Sequence, residues 1–222
     1  MPVPSPAAVS KAAKLQLGQE MLGLYKMLDA MLPELSSRFI QFIGATPGEG
    51  TSTIVREFAQ IAANQIGASV LLLDADRIGS NQNQYFKLQA DLGWIDAIKQ
   101  GVDIENALHR VGQSNLFLSP SSNAAGFTPE IFNSPVFDKL CASLRHQFDW
   151  ILIDSAPFTR SPDGLAIASK VDGVVLVIEA EKTKWQVIKD LKESISRVGG
   201  TTLGVVLNKR KFYIPHYIYK YL

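Results

Sequence analysis

Three stretches of this chain carry residue types and spacings suited to phosphate chemistry. The first is a glycine-rich turn, Ala45–Ser52, that reads A-x-x-x-x-G-T-S between an apolar strand and a helical pattern. Gly48 and Gly50 free the backbone to wrap closely round an anion, and successive N–H groups at a helix start form an anion-binding nest. Phosphate loops follow G-x-x-x-x-G-K-[ST]; here Thr51 stands in place of the lysine and Ala45 in place of the first glycine. Pro47, Gly48, Glu49, Gly50, Thr51, Ser52 and Thr53 are therefore the expected phosphate-contacting residues. Ser52 offers the hydroxyl for Mg²⁺, and Thr53 is placed to touch an inner phosphate. The second stretch is SVLLLDADRIG, four apolar residues ending at Asp74, with Asp76 and Arg77 beyond. The third is DWILIDSAPF, a strand ending at Asp154, after which Pro157 turns the chain away. Carboxylates at the tips of parallel strands beside a phosphate loop hold Mg²⁺ or orient an attacking hydroxyl.

Further on, GVVLNKR ends a strand at Asn208. Its amide either reads an adenine edge, with Lys209 over the ring, or serves a loop turn. Asp163, in RSPDGLA, either caps a helix or belongs to the outer shell of the metal. Four tyrosines, Tyr213, Tyr217, Tyr219 and Tyr221, crowd the final segment KFYIPHYIYKYL. They are either acceptors reaching another molecule's site or an aromatic tail that packs on its own domain or on a partner.

The elements that must position these residues are legible as periodicity. Near-continuous Val/Ile/Leu runs at Phe39–Ile43, Ser69–Leu73, Leu116–Leu118, Trp150–Ile153, Gly173–Ile178 and Leu203–Leu207 predict parallel strands covered by helices on both faces. Helical patterns fall at 15–32 (stopped by Pro33), 51–66, 93–99, 103–110, 129–147, 161–170 and 184–198. The alternation implies an α/β fold, a doubly wound, mostly parallel sheet of the P-loop NTPase kind. Residues 79–92 and 119–128 lack a pattern and are expected as loops at the carboxyl edge of the sheet. The expected division is a flexible segment over 1–14, a single P-loop domain over 15–210 and a tyrosine-rich tail over 211–222.

The chain has 222 residues, 46% hydrophobic and 19% charged, enough for one large core. A net charge of +1 gives bulk electrostatics no reason to favour nucleic acid or an anionic membrane. No secretory signal and no apolar run long enough to span a bilayer is visible, so the chain reads as cytoplasmic, with any membrane anchor supplied by a partner. The lone cysteine, Cys141, sits on an apolar helical face and reads as a buried structural thiol.

Taken together, Ala45–Ser52, Asp74/Asp76, Asp154/Pro157, the D-G-V-V-L-V run at 172–177 and the G-V-V-L-N-K strand at 204–209 resemble the bacterial tyrosine kinase family, from about residue 17 onward. Members are cytoplasmic partners of polysaccharide co-polymerases in capsule and exopolysaccharide production. The resemblance implies ATP/ADP and Mg as cofactors, Asp74 and Asp76 as catalytic residues with Asp74 accepting the proton of the tyrosine hydroxyl, and Ser52, Asp76 and Asp154 as metal ligands. It also implies a membrane co-polymerase partner, self-association, and phosphorylation of the tyrosine cluster between neighbouring subunits. Three features depart from the family pattern: Thr51 for the loop lysine, a basic residue after D-x-D one position early at Arg77, and Glu20–Gly23–Lys26 where the family's ring-assembly helix reads E-x-x-R-x-x-R. A P-loop protein that has lost the lysine either retains weak kinase activity or acts as a regulatory pseudokinase. The ATPases of cell division and plasmid partition share the fold, but they carry an extra lysine early in the loop, and Gly44–Gly50 has none.

Overall fold

A computed structural model of the chain describes residues 6–79, 82–121 and 129–210, with side chains described from residue 16. The tyrosine cluster, Tyr213, Tyr217, Tyr219 and Tyr221, lies outside the described residues.

Seven strands form one sheet: β1 (Arg38–Gly44), β2 (Val70–Ala75), β3 (His109–Arg110), β4 (Leu116–Ser119), β5 (Trp150–Ser155), β6 (Gly173–Glu179) and β7 (Thr202–Asn208). Their order is β3-β4-β2-β5-β1-β6-β7, with every pair parallel except β3–β4. The central strands β1, β2, β5 and β6 are buried almost end to end. That is why their sequences read as unbroken apolar runs rather than alternating ones. The six predicted strands are all present, each within a residue or two of its expected bounds.

On one face lie α1 (Pro6–Met31) and α2 (Thr51–Ile61), the latter continued by a π-helical turn, Ala62–Ile66, that Gly67 ends at φ +84°. Met21, Leu24 and Leu28, spaced by three and four, turn one side of α1 onto Phe58 of α2 and Trp150 of β5. Tyr25 packs tilted and Phe58 edge-on against the Trp150 ring, with centroids 5.0 and 5.3 Å away. The first helix begins well before the 15–32 pattern, its opening turns reaching into the stretch read as a lead-in. The opposite face carries α4 (Trp94–Gln100), α5 (Pro135–Arg145), α6 (Asp163–Ala168) and α7 (Trp185–Arg197). There Trp94, Phe132, Phe137, Ile151 and Ile153 fill one core, while Ile43, Leu176, Leu191 and Ile195 fill another. α3 (Gln82–Phe86) is a single short helix above the carboxyl edge.

Three sequence expectations need correction. The 103–110 pattern is not one helix: it is a 3₁₀ turn, Ile104–Ala107, followed by β3, which pairs antiparallel with β4. The 129–147 pattern is likewise a 3₁₀ turn, Pro129–Asn133, broken before α5, because Ser134 caps the new helix with its hydroxyl on Phe137 N–H and Pro135 opens it. Within the 79–92 stretch, residues 82–86 are helical rather than loop.

Candidate functional site

The glycine-rich turn leaves β1 at its carboxyl end and feeds α2, so it sits at the centre of the sheet. Gly48 and Gly50 both have positive φ, +84° and +91°. At Gly50 a second constraint applies: an added Cβ would lie 2.3 Å from Asn208 Nδ2. Glycine is thus required there for both conformation and clearance. The N–H groups of Gly48, Glu49, Gly50, Thr51 and Ser52 donate to no acceptor among the described residues. Thr53 N–H, by contrast, is already bonded to Gly50 O at 3.1 Å, so the nest closes at Ser52. Five consecutive free donors at a helix start form a cup for anionic oxygens.

The loop is braced from beneath and from one side. Glu49 is buried, and its carboxylate accepts from Thr46 N–H at 2.8 Å and from Glu179 N–H at 3.4 Å, with the Thr183 hydroxyl as a third partner. From β7, Asn208 Nδ2 donates to Glu49 O at 2.8 Å and Lys209 Nζ donates to Gly48 O, while Glu179 pairs with Lys209 at 3.2 Å. Lys182, then Lys209, hold the Glu179 carboxyl below the usual range. Asn208 Oδ1 accepts from Lys209 N–H. One end of the asparagine amide thus fastens the loop to the edge strand, and the other is held by the backbone of its own neighbour.

The two acidic strand tips are adjacent. Asp74 and Asp154 face each other in register across β2 and β5, and β1 lies next to β5 on the other side. Asp154 is buried, accepting from Gln82 Nε2 at 2.8 Å and from the Ser52 hydroxyl. Its Oδ1 and Gln82 Oε1 are buried with no hydrogen-bond partner. Burial pushes the Asp154 carboxyl up to about 6, against the opposing bonds from Gln82 and Ser52. Asp76 faces the crevice, its Oδ1 accepting from Ile78 and Gly79 N–H at 3.0 and 2.9 Å. Asp74 is fully buried, does not line the crevice, and accepts from Asp76 N–H at 3.1 Å. Its carbonyl takes the Trp94 indole N–H at 2.8 Å. Of the two acids predicted for catalysis, Asp76 lines the crevice and Asp74 supports it from behind.

A divalent cation fits this corner. Orphaned oxygens on Asp154 and Gln82 lie beside the Ser52 hydroxyl and Asp76. Among the described residues no group of three His, Cys, Asp or Glu side chains could hold a metal by itself. A cation here would complete its shell with water and phosphate oxygens, the habit of Mg²⁺ rather than of a protein-caged metal.

The resulting crevice has a volume of about 370 Å³ and is lined by residues 46–53 with Asp76, Gly79, Ser155, Pro157, Arg160 and Lys209. Thr51 leaves the loop without its lysine, and three arginines, Arg56, Arg77 and Arg210, are candidates to supply the charge; Arg77 is engaged with Asp163 at 2.8 Å. Arg56 is buried against the Tyr85 ring, 3.7 Å from its centroid, and neither it nor Arg210 lines the crevice. Asp163 answers Arg77 from the start of α6. Two contributors escaped sequence reasoning. Gln82 lies in a polar stretch without periodicity, and Arg160, although inside the R-S-P-D-G motif, has no spacing signal of its own. Cys141 is half-buried rather than fully buried as expected; burial still pushes its thiol up to about 12, which disfavours the thiolate a nucleophile needs.

Comparison with known proteins agrees with the architecture. The family model described as cellulose biosynthesis protein BcsQ matches residues 38–192. Tyrosine-protein kinase CpsD of Streptococcus agalactiae is 28% identical over 174 residues, 78% of this chain and 76% of that one. Succinoglycan biosynthesis transport protein ExoP of Rhizobium meliloti is 28% identical over 82% of this chain, which spans 23% of that longer protein. The kinase domain of VpsO superposes with a TM-score of 0.78 at 24% identity, covering 91% of this chain and 98% of that one. The fold is that of the P-loop NTPases, and the resemblance to bacterial tyrosine kinase domains holds across sequence and structure.

Proposed function

The chain belongs to the cellulose biosynthesis protein BcsQ family, and from that membership we propose that it is a nucleotide-binding, kinase-like protein of exopolysaccharide production that holds Mg·ATP or Mg·ADP in the crevice at the tip of β1. The observation that carries the reading is the run of five unengaged N–H groups, Gly48 to Ser52, beside the Asp154–Ser52–Asp76 corner. The kinase names of its relatives, and the polysaccharide pathways in which CpsD-like and ExoP-like proteins are named, support the assignment.

In this reading the nest and Thr53 grip the phosphates, and Ser52, Asp76 and Asp154 hold the magnesium. Bound there, magnesium neutralises charge on the phosphate oxygens. Asp76 orients the attacking hydroxyl, and Asp74 fixes Asp76 through its backbone. The acceptors are Tyr213, Tyr217, Tyr219 and Tyr221, presented to a neighbouring copy. A membrane polysaccharide co-polymerase supplies the partner and places the protein at the cytoplasmic face of the membrane. Among the described residues, no helix is long and apolar enough to cross a membrane.

Thr51 favours a second reading, a pseudokinase that regulates the co-polymerase through nucleotide-dependent contacts. Losing one preorganised charge donor lowers a phosphoryl-transfer rate by roughly 10²–10³, whereas the backbone nest still binds. Phosphotyrosine mass spectrometry of the purified chain with Mg·ATP, alongside calorimetry, separates the two. Slow modification of the tail supports the kinase. An unmodified tail with intact ATP binding supports the regulator. Failure to bind nucleotide at millimolar concentration removes both.

A further inference from the structure

We propose that Arg160 replaces the missing loop lysine, recognising the terminal phosphate of a nucleoside triphosphate and so setting preference for tri- over diphosphate. The inference rests on the nucleotide-binding reading above and names the residue that reads the far end of the ligand.

A phosphate loop without its lysine has a deficit of one positive charge at the outer phosphates, and Thr51 cannot supply it. Only two cations line the crevice among the described residues, Arg160 and Lys209. Lys209 is engaged twice, with Gly48 O and with Glu179. Arg160 is exposed, and its guanidinium has neither a hydrogen bond nor an ion pair among the described residues.

Position supports the same choice. The segment that carries Arg160 is fastened to the mouth of the loop: Phe158 N–H donates to Gly44 O at 2.9 Å and Thr159 N–H to Ala45 O at 3.2 Å. Arg160 N–H then closes a turn on Pro157 O at 2.8 Å. The side chain therefore starts from a fixed backbone beside the anion cup, not from a wandering loop. Arg160 also follows β5, the strand that delivers Asp154, whereas Lys209 follows β7 on the other side of β1. The metal corner and Arg160 share one flank of the loop, where a magnesium ion would sit against the outer phosphates. A planar guanidinium with paired donors suits two oxygens of a terminal phosphate.

The test is calorimetry with Mg²⁺ and either ADP or a non-hydrolysable ATP analogue. Substitutions are Arg160→Ala, Arg160→Lys and Arg160→Ala combined with Thr51→Lys. Because Arg160 is exposed and its guanidinium makes no hydrogen bond or ion pair among the described residues, the variant should fold. Arg160→Ala should weaken the triphosphate analogue by about 10- to 100-fold and leave ADP nearly unchanged. Arg160→Lys should recover part of that loss, and the Thr51→Lys double variant most of it. Equal losses for both nucleotides, or no loss for either, would overturn the assignment while leaving the binding site standing. A parent chain that binds neither nucleotide would instead remove the site itself, and this inference with it.

Discussion

At the scale of single residues, the site depends on positions where backbone conformation and side-chain neighbours agree. Gly50 carries the most constraint. Substituting alanine forces a left-handed conformation and drives a methyl against the Asn208 amide. Gly50→Ala should cost about 1–2 kcal/mol, seen as a fall in Tm of about 2–8 °C, and should abolish nucleotide binding by calorimetry. Asp154 gives a prediction with a definite sign. Its carboxyl titrates at about 6 in the folded chain against an ordinary 3.8. Between those values the native state holds a proton that the unfolded chain has released. Stability of the metal-free protein therefore falls as pH rises through this window. Urea unfolding with chelator present should show that fall in the parent, and Asp154→Asn should remove most of it. A variant that tracks the parent across the window would show that Asp154 is ionised throughout. The sequence disclosed Asp154 because an acid ending an apolar run is conspicuous. It did not disclose Gln82, whose partner lies 72 residues away, so its role exists only once β5 and α3 are folded together. Asn208 was visible as a functional candidate, but whether its amide faced a base or the loop depended on the approach of β7 to Glu49.

At the scale of elements, the carboxyl ends of the strands are set by the helices packed behind them. Trp94, fully buried at the start of α4, packs against Phe132 and Phe137 with centroids 5.9 and 6.1 Å away and donates its indole N–H to the Asp74 carbonyl. It is a packing residue that also fixes the tip of β2. Trp94→Phe keeps most of the ring contact and loses the hydrogen bond. It should cost about 1–3 kcal/mol in urea unfolding and weaken Mg²⁺-dependent binding more than Mg²⁺-independent binding. An unchanged midpoint would mean that the strand tip holds itself. A similar tether acts at the other end of the sheet, where Arg145 of α5 grips both Asp172 oxygens at 2.8 and 2.7 Å and Asp172 accepts from Phe39 N–H at 2.7 Å. The buried strands were legible because burial on both faces leaves an unbroken apolar signature. β3 was not, because two residues, His109 and Arg110, are too few to show a period, and their strand character comes from pairing with β4. The break at Ser134 is likewise set by a local cap that competes with a pattern continuous in hydrophobicity.

At the scale of the whole molecule, a sheet with β1 beside β5 and β5 beside β2 brings a loop and two acids, up to 109 positions apart in the sequence, to one edge. The doubly wound order does this without any direct contact between the motifs in the sequence. That is why fold class and site location could be read together, while the division of labour among the acids and cations could not. Nucleotide should also act on the molecule globally: at a hundredfold excess over Kd, Mg·ADP should raise unfolding free energy by about 2.7 kcal/mol. The central claim is narrower, that the free main-chain donors from Gly48 to Ser52 receive phosphate. Titrating isotope-labelled protein with Mg·ADP while following backbone amide resonances tests it directly. Saturable downfield shifts of Gly48, Glu49, Gly50, Thr51 and Ser52 are predicted. Static amides at these five positions under millimolar nucleotide would contradict the account.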